Sequence, residues 1–335
     1  MSDATVVSSP PEAIASSRNF DAWRFVGRYG ALIVLGVLIA TVTILEPSTF
    51  PTKTNWINIL NQSALTALMA MGLTFPLVAG EFDLSIGYTG SLCGVVAASL
   101  MVDSGMSIPV AFAIALLIGA CVGLINGLIV TKIGVNALVA TLGIGTMVVG
   151  INFAVAGGLP VTVQGNQSTS FINLTLGEFL GLPYPIYIMA GVALALWILL
   201  NRTVVGQSIQ AVGGNSIAAQ LSGIRVDRIR IAVFMIAGFC AAMTGVLLAS
   251  RTGSAATNGS DGYLLSSFSA AFFGSAVMRD GQFHIVGTLV GVITVAVGFD
   301  AIALIGLSTY WQYLFQGGLL ILGVGVGTLA RKRSA

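Results

Sequence analysis

The sequence is poor in charged residues. Lysine, arginine, aspartate and glutamate make up 8% of its 335 residues, whereas hydrophobic residues make up 56% and 42 residues are glycine. A soluble domain carries roughly 25% charged residues, so this chain has too few polar groups to cover a surface that faces water. The composition excludes a soluble globular enzyme, a disordered chain, a collagen and a coiled coil. It indicates a protein that crosses a membrane several times.

Histidine, lysine and cysteine are also scarce, which excludes several kinds of site. The one histidine, His284, cannot build a zinc site or a Ser-His-Asp triad alone, and none of the three lysines stands in a phosphate-binding P-loop. The three cysteines lie in apolar runs without paired spacing, so we interpret all of them as small core residues: Cys93, Cys121 and Cys240. We expect no catalytic residue, metal ion, cofactor or nucleic-acid partner.

Ten apolar segments follow a polar N-terminal tail, residues 1–28, which lacks the apolar core of a signal peptide. Each segment is close to the roughly 20 residues that a helix needs to cross a bilayer. We therefore predict an all-α integral membrane protein with about ten transmembrane helices in residues 29–330, followed by a basic tail at 331–335. The predicted spans are 29–45, 57–79, 84–102, 108–130, 135–157, 184–200, 231–250, 263–278, 285–301 and 310–330.

The basic residues favour one orientation of these spans. With the N-terminus inside, twelve of the fourteen lysines and arginines fall in inner segments, and only Lys53 and Arg251 fall in outer ones. Because cytoplasmic segments of membrane proteins are enriched in lysine and arginine, we expect both termini in the cytoplasm.

Glycines recur at every fourth position in three predicted spans. This spacing lets helix backbones approach closely in a membrane, so it predicts helix packing and says nothing about function. The glycines are Gly119, Gly123 and Gly127, then Gly287 and Gly291, then Gly323 and Gly327.

Polar residues inside the spans are mostly uncharged. Ion-coupled carriers usually place carboxylates within the bilayer, but Glu81, Asp83 and Asp300 fall at predicted span ends, where an interfacial position is the simpler interpretation. Buried amides and hydroxyls demand hydrogen-bond partners. They either bond neighbouring helices or line a path for a hydroxylated solute, and the candidates for such a path are Asn61, Gln62, Thr66 and Asn152.

The longest inner loop, residues 201–230, carries a short predicted helix. Asn215 or Ser216 can cap the N-terminus of a helix over residues 217–221, and Gly223 can end it. Such a helix on the cytoplasmic face is either a connector or a knob that fits a cleft in a soluble partner. The residues alone leave both interpretations open.

Four separated blocks resemble the permease subunits of bacterial ABC importers for ribose, xylose, galactose and related solutes. They are residues 206–224 with 237–255, 80–87, 134–150 and 304–322. The block GEFDLSIG resembles the Gly-x-Asp-Leu-Ser-x-Gly signature of these permeases through Gly80, Asp83, Ser85 and Gly87. Residues 265–284 depart from the family pattern, which leaves the identity of the solute open.

The resemblance implies a subunit of an ATP-driven importer in the bacterial inner membrane. A periplasmic binding protein would deliver a monosaccharide or related polyol, and a second permease copy, identical or a sister chain, would complete the path. A cytoplasmic ABC ATPase would dock on the 201–230 loop, and Asp83 would tie off helix termini. The resemblance assigns to this ATPase-coupling loop the residues Gly206, Ala211, Gly213, Asn215, Ala218, Ala219, Ser222 and Gly223.

Three other functions compete with this interpretation. The same architecture could import a nucleoside or a branched-chain amino acid. A stand-alone carrier or channel would need ionisable residues deep within the spans, and an intramembrane enzyme would need a nucleophile with its base or a metal site. Spans that hold amides and hydroxyls with little charge favour a sugar over a zwitterion.

Overall fold

The computed structural model describes residues 22–275 and 281–334, and α-helices dominate both ranges. A π-helical turn, Ile129–Ile133, extends the helix Ile108–Leu128, and two antiparallel pairs of two-residue strands connect loops. The pairs are β1 (Val161–Thr162) with β4 (Ser254–Ala255) and β2 (Glu178–Phe179) with β3 (Leu182–Pro183). The helices are α1 (Ala22–Leu45), α2 (Lys53–Val78), α3 (Ile86–Val102), α4 (Ile108–Leu128), α5 (Ala137–Ala156), α6 (Ser168–Leu176), α7 (Tyr184–Arg202), α8 (Val204–Gly214), α9 (Ser216–Leu221), α10 (Val226–Thr252), α11 (Asp261–Ser275), α12 (Ile285–Leu304) and α13 (Tyr310–Ser334).

A helix occupies each of the ten predicted spans, namely α1 to α5, α7 and α10 to α13. In the described ranges, five helices are long and apolar enough to cross a membrane: Ile108–Ile133, Ala137–Ala156, Tyr184–Arg202, Val226–Thr252 and Ile285–Leu304. Two boundaries differ from the prediction. Helix α1 begins inside the predicted tail, whose residues 1–21 lie outside the described ranges, and α13 continues through the predicted basic tail to Ser334. The end of the predicted span 263–278, residues 276–278, also lies outside the described ranges.

Helix α2 is the central helix of the bundle. From Ser63 to Leu77 every residue is buried except Thr66, which is half-buried. The largest buried apolar cluster surrounds α2 and includes Leu65, Leu68 and Phe75 from α2 itself. An apolar helix enclosed on all sides is typical of a helix in the interior of a bundle.

The predicted glycine packing is confirmed for the glycines of α4 and α12 and for Gly323, while the surroundings of Gly327 lie outside the described part of the structure. A methyl group at Gly119 or Gly123 of α4 would clash with the backbone carbonyl of Gly238 or Phe234 on α10. On α12, Gly291 meets the backbone of Ala270 on α11 in the same way. These pairs bring helix backbones into direct contact, as small residues do in membranes.

One prediction about the cysteines was wrong. Cys93 and Cys240 are buried, but Cys121 is exposed on the surface of α4. The glycines beside it in sequence face α10, so the alternate face of this apolar helix points away from the bundle. An apolar run in a membrane protein therefore does not by itself identify a core position.

Helices α3 and α11 begin inside the bundle instead of at its surface. A methyl group at Gly90, in the second turn of α3, would lie 3.0 Å from the carbonyl oxygen of Ala241, near the middle of α10. The Ser91 hydroxyl donates a hydrogen bond to Asp261, the first residue of α11, over 3.0 Å. The non-helical segments 79–85 and 253–260 therefore enter the bundle at the ends next to these helices, where Asp83, Ser85 and Ser260 are buried.

Candidate functional site

The short helix predicted in the 201–230 loop is confirmed as α9. The side-chain oxygen of Asn215 accepts hydrogen bonds from the backbone N–H groups of Ile217 and Ala218 over 3.1 and 3.0 Å, as an N-cap does. Gly223 lies just beyond the helix with φ of +85°, a left-handed conformation that glycine adopts readily. The predicted cap and stop signals both act where the sequence places them.

Helix α9 presents an apolar surface without a partner in the described part of the chain. The side chains of Ile217 and Leu221 are 71% and 85% exposed. Ala218 is exposed beside them, whereas Ala219 is 5% exposed and packs inward. Ser222 continues this surface, and its hydroxyl caps the Ala218 carbonyl over 2.9 Å. The two alanines that the sequence suggested as one site therefore have opposite environments.

Helix α8 connects α9 to the bundle through two glycines. A methyl group at Gly213 would clash with the carbonyl oxygen of Val78, the last residue of α2, and one at Gly206 would clash with the carbonyls at the end of α7. Ile209 and Val212 of the same helix are buried. Ala211 is exposed, and its carbonyl accepts the Asn215 N–H over 3.0 Å. The loop is thus attached directly to the C-terminal end of the central helix.

The signature residues form a buried junction at the start of α3. One oxygen of Asp83 accepts hydrogen bonds from the Ser85 backbone N–H over 2.9 Å and from the Ser85 hydroxyl over 2.6 Å. Asn126 of α4 donates to that hydroxyl over 2.8 Å. Asp83 has no exposed surface, so the protein and not solvent surrounds its carboxylate. Gly80 has φ of +82° where the chain turns from α2, and Gly87 packs against Leu264 of α11.

An ion pair joins this junction to α10. Glu81 Oε1 and Arg230 Nε are 2.9 Å apart, and both side chains are largely buried. Burial raises the pKa of Glu81 above its ordinary value, and the positive charge of Arg230 opposes that rise. The segment after α2 is therefore held to α4 by Asn126 and to α10 by Arg230.

A cavity of about 310 Å³ lies between α2, α10, α11, α12 and α13. Gln62 and Thr66, two of the predicted path residues, line it. The C-terminal part of α12 and the N-terminal part of α13, which residues 305–309 connect, line one side of the cavity. The first turn of α11, which begins inside the bundle, lines another side. A volume of this size, lined by both apolar and hydrogen-bonding groups, is typical of a small-molecule site.

The other two predicted path residues lie outside this cavity. Asn61 accepts hydrogen bonds from Arg251, through its backbone carbonyl over 2.8 Å and its side-chain oxygen over 3.4 Å. Asn152 is buried and donates to the Thr257 carbonyl over 2.7 Å. Both amides connect neighbouring parts of the bundle, and Asn61 also lines a second cavity of about 270 Å³.

The sequence interpretation missed the charged residues of the cavity. Arg251 was counted only as one of two basic residues in outer segments, and Asp300 only as a charge at a span end. The available signal was that Arg251 stands against the positive-inside bias at the end of an apolar helix. In the described ranges no group of three histidine, cysteine or acidic residues is placed to hold a metal ion.

Comparisons with known proteins agree on one family. The family model described as "Branched-chain amino acid transport system / permease component" matches residues 55–324. The chain is 35% identical to the ribose import permease of Haemophilus influenzae over 307 residues, which cover 91% of this chain and 94% of that protein. It is 35% identical to the L-arabinose ABC transporter permease of Azospirillum brasilense over 317 residues, covering 94% and 92%.

A third relative is the galactose/methyl galactoside import permease of Haemophilus influenzae, 31% identical over 334 residues that cover 95% of this chain and 98% of that protein. The comparison with solved structures gave no match. The chain therefore belongs to the family of multi-pass membrane permeases that contains these three transport proteins.

Proposed function

We propose that this chain is the membrane-spanning subunit of an ATP-driven importer and forms the path for a monosaccharide or related polyol. The observation that carries the proposal is similarity over nearly the whole chain to permeases named for ribose, L-arabinose and galactose. The cavity supports it, because its amides, hydroxyls and the charged groups of Arg251 and Asp300 can all form hydrogen bonds with a solute that carries many hydroxyl groups. ATP hydrolysis then belongs to a separate subunit.

The proposed topology has ten spans with both termini in the cytoplasm of the bacterial inner membrane. Contacts between helix ends support it. Asn55, near the start of α2, donates a hydrogen bond over 2.8 Å to Asp300, near the end of α12, and an alternating path places both ends outside. Gly213 of the inner loop touches the end of α2, which that path places inside.

The proposed ATPase docks on α9 and moves the bundle through α8. The exposed side chains of Ile217 and Leu221 offer an apolar contact, and the Gly213 contact with Val78 passes a displacement to α2. Thr66 in the cavity lies twelve residues before Val78 on the same helix, about 18 Å away. One rigid helix therefore links the docking surface to the proposed solute path.

The remaining partners follow from the same proposal. A periplasmic binding protein delivers the solute to the outer face, and a second permease copy, identical or a sister chain, completes the complex. A branched-chain amino acid is the second candidate solute, because the matching family model carries that description. Uptake assays with labelled D-ribose, L-arabinose, D-galactose and L-leucine separate the two.

The test compares two variants that place the same positive charge on opposite sides of the membrane in the proposed topology. Ala218→Arg puts a cation on the exposed surface of α9, and Ser104→Arg puts one on the exposed loop between α3 and α4. We expect Ala218→Arg to lose both the co-purifying ATPase and sugar uptake, while Ser104→Arg keeps both. Retention of both by Ala218→Arg would refute docking on α9, and uptake of L-leucine without any sugar would refute the choice of solute.

A further inference from the structure

Two opposite charges line the cavity without neutralising each other. Arg251 is the second-last residue of α10, and Asp300 lies near the end of α12. Neither side chain forms an ion pair with any residue of the described ranges. An ionisable group within a membrane protein is costly and usually faces a partner or a functional cavity. The two charges therefore require an explanation beyond helix packing.

Protein contacts satisfy each group only in part. Arg251 uses Nη2 to donate to Asn61, and its Nε is buried without a hydrogen-bond partner in the described chain. In the same ranges the Asp300 carboxylate accepts one hydrogen bond, from Asn55 Nδ2 to its Oδ2. A guanidinium has five N–H donors and a carboxylate has about four acceptor positions. Both groups keep hydrogen-bonding capacity for a molecule in the cavity.

The rest of the lining indicates what kind of molecule that is. Gln62, Gln312 and Gln316 bring amides that donate and accept, and Tyr263 and Phe299 bring aromatic rings. A neutral polyol offers hydroxyls that both donate and accept, together with C–H faces that pack on rings. A hydroxyl can donate to the carboxylate while another accepts from the guanidinium, and hydrogen bonds to charged groups are the stronger kind.

We propose that Arg251 and Asp300 are the specificity-determining pair of a solute site inside a single chain. Arg251 donates to one hydroxyl or ring oxygen of a monosaccharide, and Asp300 accepts from another hydroxyl. This inference rests on the proposed function and deepens it by assigning the site and its solute contacts.

The test measures uptake kinetics of the complete importer in cells, with labelled D-ribose, L-arabinose and D-galactose offered separately. The variants are Asp300→Asn, which keeps the shape and an acceptor for Asn55, and Arg251→Gln. The matched controls are Asp103→Asn and Lys53→Gln, which change exposed charges at the outer ends of α3 and α2. Removing one hydrogen bond to a charged group is expected to raise the apparent KM by about 10-fold or more.

A second readout separates binding from a purely structural role. A site that hydrogen-bonds a hydroxyl rejects an analogue that lacks it, so wild type should discriminate each transported sugar from its deoxy analogues. We expect Asp300→Asn to lose discrimination at one hydroxyl and Arg251→Gln at another, with normal membrane levels. Lower uptake of all analogues in equal proportion, or an unchanged KM with unchanged discrimination, would overturn the inference.

Failure of the proposed function and failure of the site assignment give different results in this experiment. If wild type transports none of the sugars, the proposed function fails before any variant is compared. If wild type transports a sugar and Asp300→Asn behaves like Asp103→Asn, the permease function stands and the site assignment falls. Where Arg251→Gln does not reach the membrane, Arg251→Lys keeps the charge but loses the fork geometry, and a KM equal to that of wild type would refute the role of Arg251.

Discussion

Replacement of Gly213 by alanine tests whether α8 passes motion from the docking surface to α2. The added methyl group would overlap the carbonyl oxygen of Val78, and real Cβ atoms essentially never come closer than 3.0 Å to such an atom. Helix α8 must therefore move away from α2 by a distance on the order of 1 Å, and overpacking of this kind destabilises by about 1–3 kcal/mol.

The expected result is uncoupling, not loss of assembly. The docking surface on α9 is unchanged, so the ATPase should still co-purify, but its movement should reach α2 less effectively. The assay measures labelled sugar uptake and ATP hydrolysis in the same proteoliposomes. We expect the ratio of solute moved to ATP hydrolysed to fall several-fold in Gly213→Ala.

Gly214 supplies the matched control for this variant. It is the next residue of the same helix, and a methyl group there meets nothing within 4 Å. Both variants gain the same helix propensity, so any difference between them reports the contact with Val78. Equal coupling ratios in Gly213→Ala and Gly214→Ala would refute the proposal that this contact transmits motion.

Two further predictions concern stability in detergent, measured as Tm. Gly123→Ala should lower Tm by forcing α4 away from α10, with a cost of about 1–3 kcal/mol, whereas Gly143→Ala, where nothing lies within 4 Å, should not lower it. Asp83→Ala leaves the Ser85 N–H and hydroxyl without their acceptor, at about 1–3 kcal/mol for each buried group, while Asp103→Ala on an exposed turn should change little. Equal Tm values within either pair would contradict the corresponding contact.

Features that depend on local sequence were predictable. The ten apolar segments coincide with helices because length and hydropathy identify a long apolar helix without knowledge of its neighbours. Asn215 and Gly223 bound α9 because capping and left-handed turns are decided by the residues at the helix ends. The packing of Gly119 and Gly123 followed from spacing on one helix face.

Helix depth, side-chain exposure and the grouping of the cavity residues depend on which helices pack together, so they were not predictable from the sequence. The span boundaries gave no sign that α3 and α11 begin beside the middle of α10, since that depth is set by contacts such as Ser91 with Asp261. Hydropathy could not separate exposed Cys121 from buried Cys93 in similar apolar runs. The cavity combines side chains from five helices, so single-sequence reasoning reached Gln62 and Thr66 but not their grouping with Asp300.

The central position of α2 explains how a chain with so little charge can take part in active transport. Its N-terminal half lines the cavity through Gln62 and Thr66, its last residue touches Gly213, and the segment that follows it holds the Asp83 junction. Pro76, two residues before Val78, removes one hydrogen bond of the helix without ending it. A displacement of α8 would then act on the cavity and the junction together. No relay of buried charges through the bilayer is needed for that coupling, because the moving part is a packed helix.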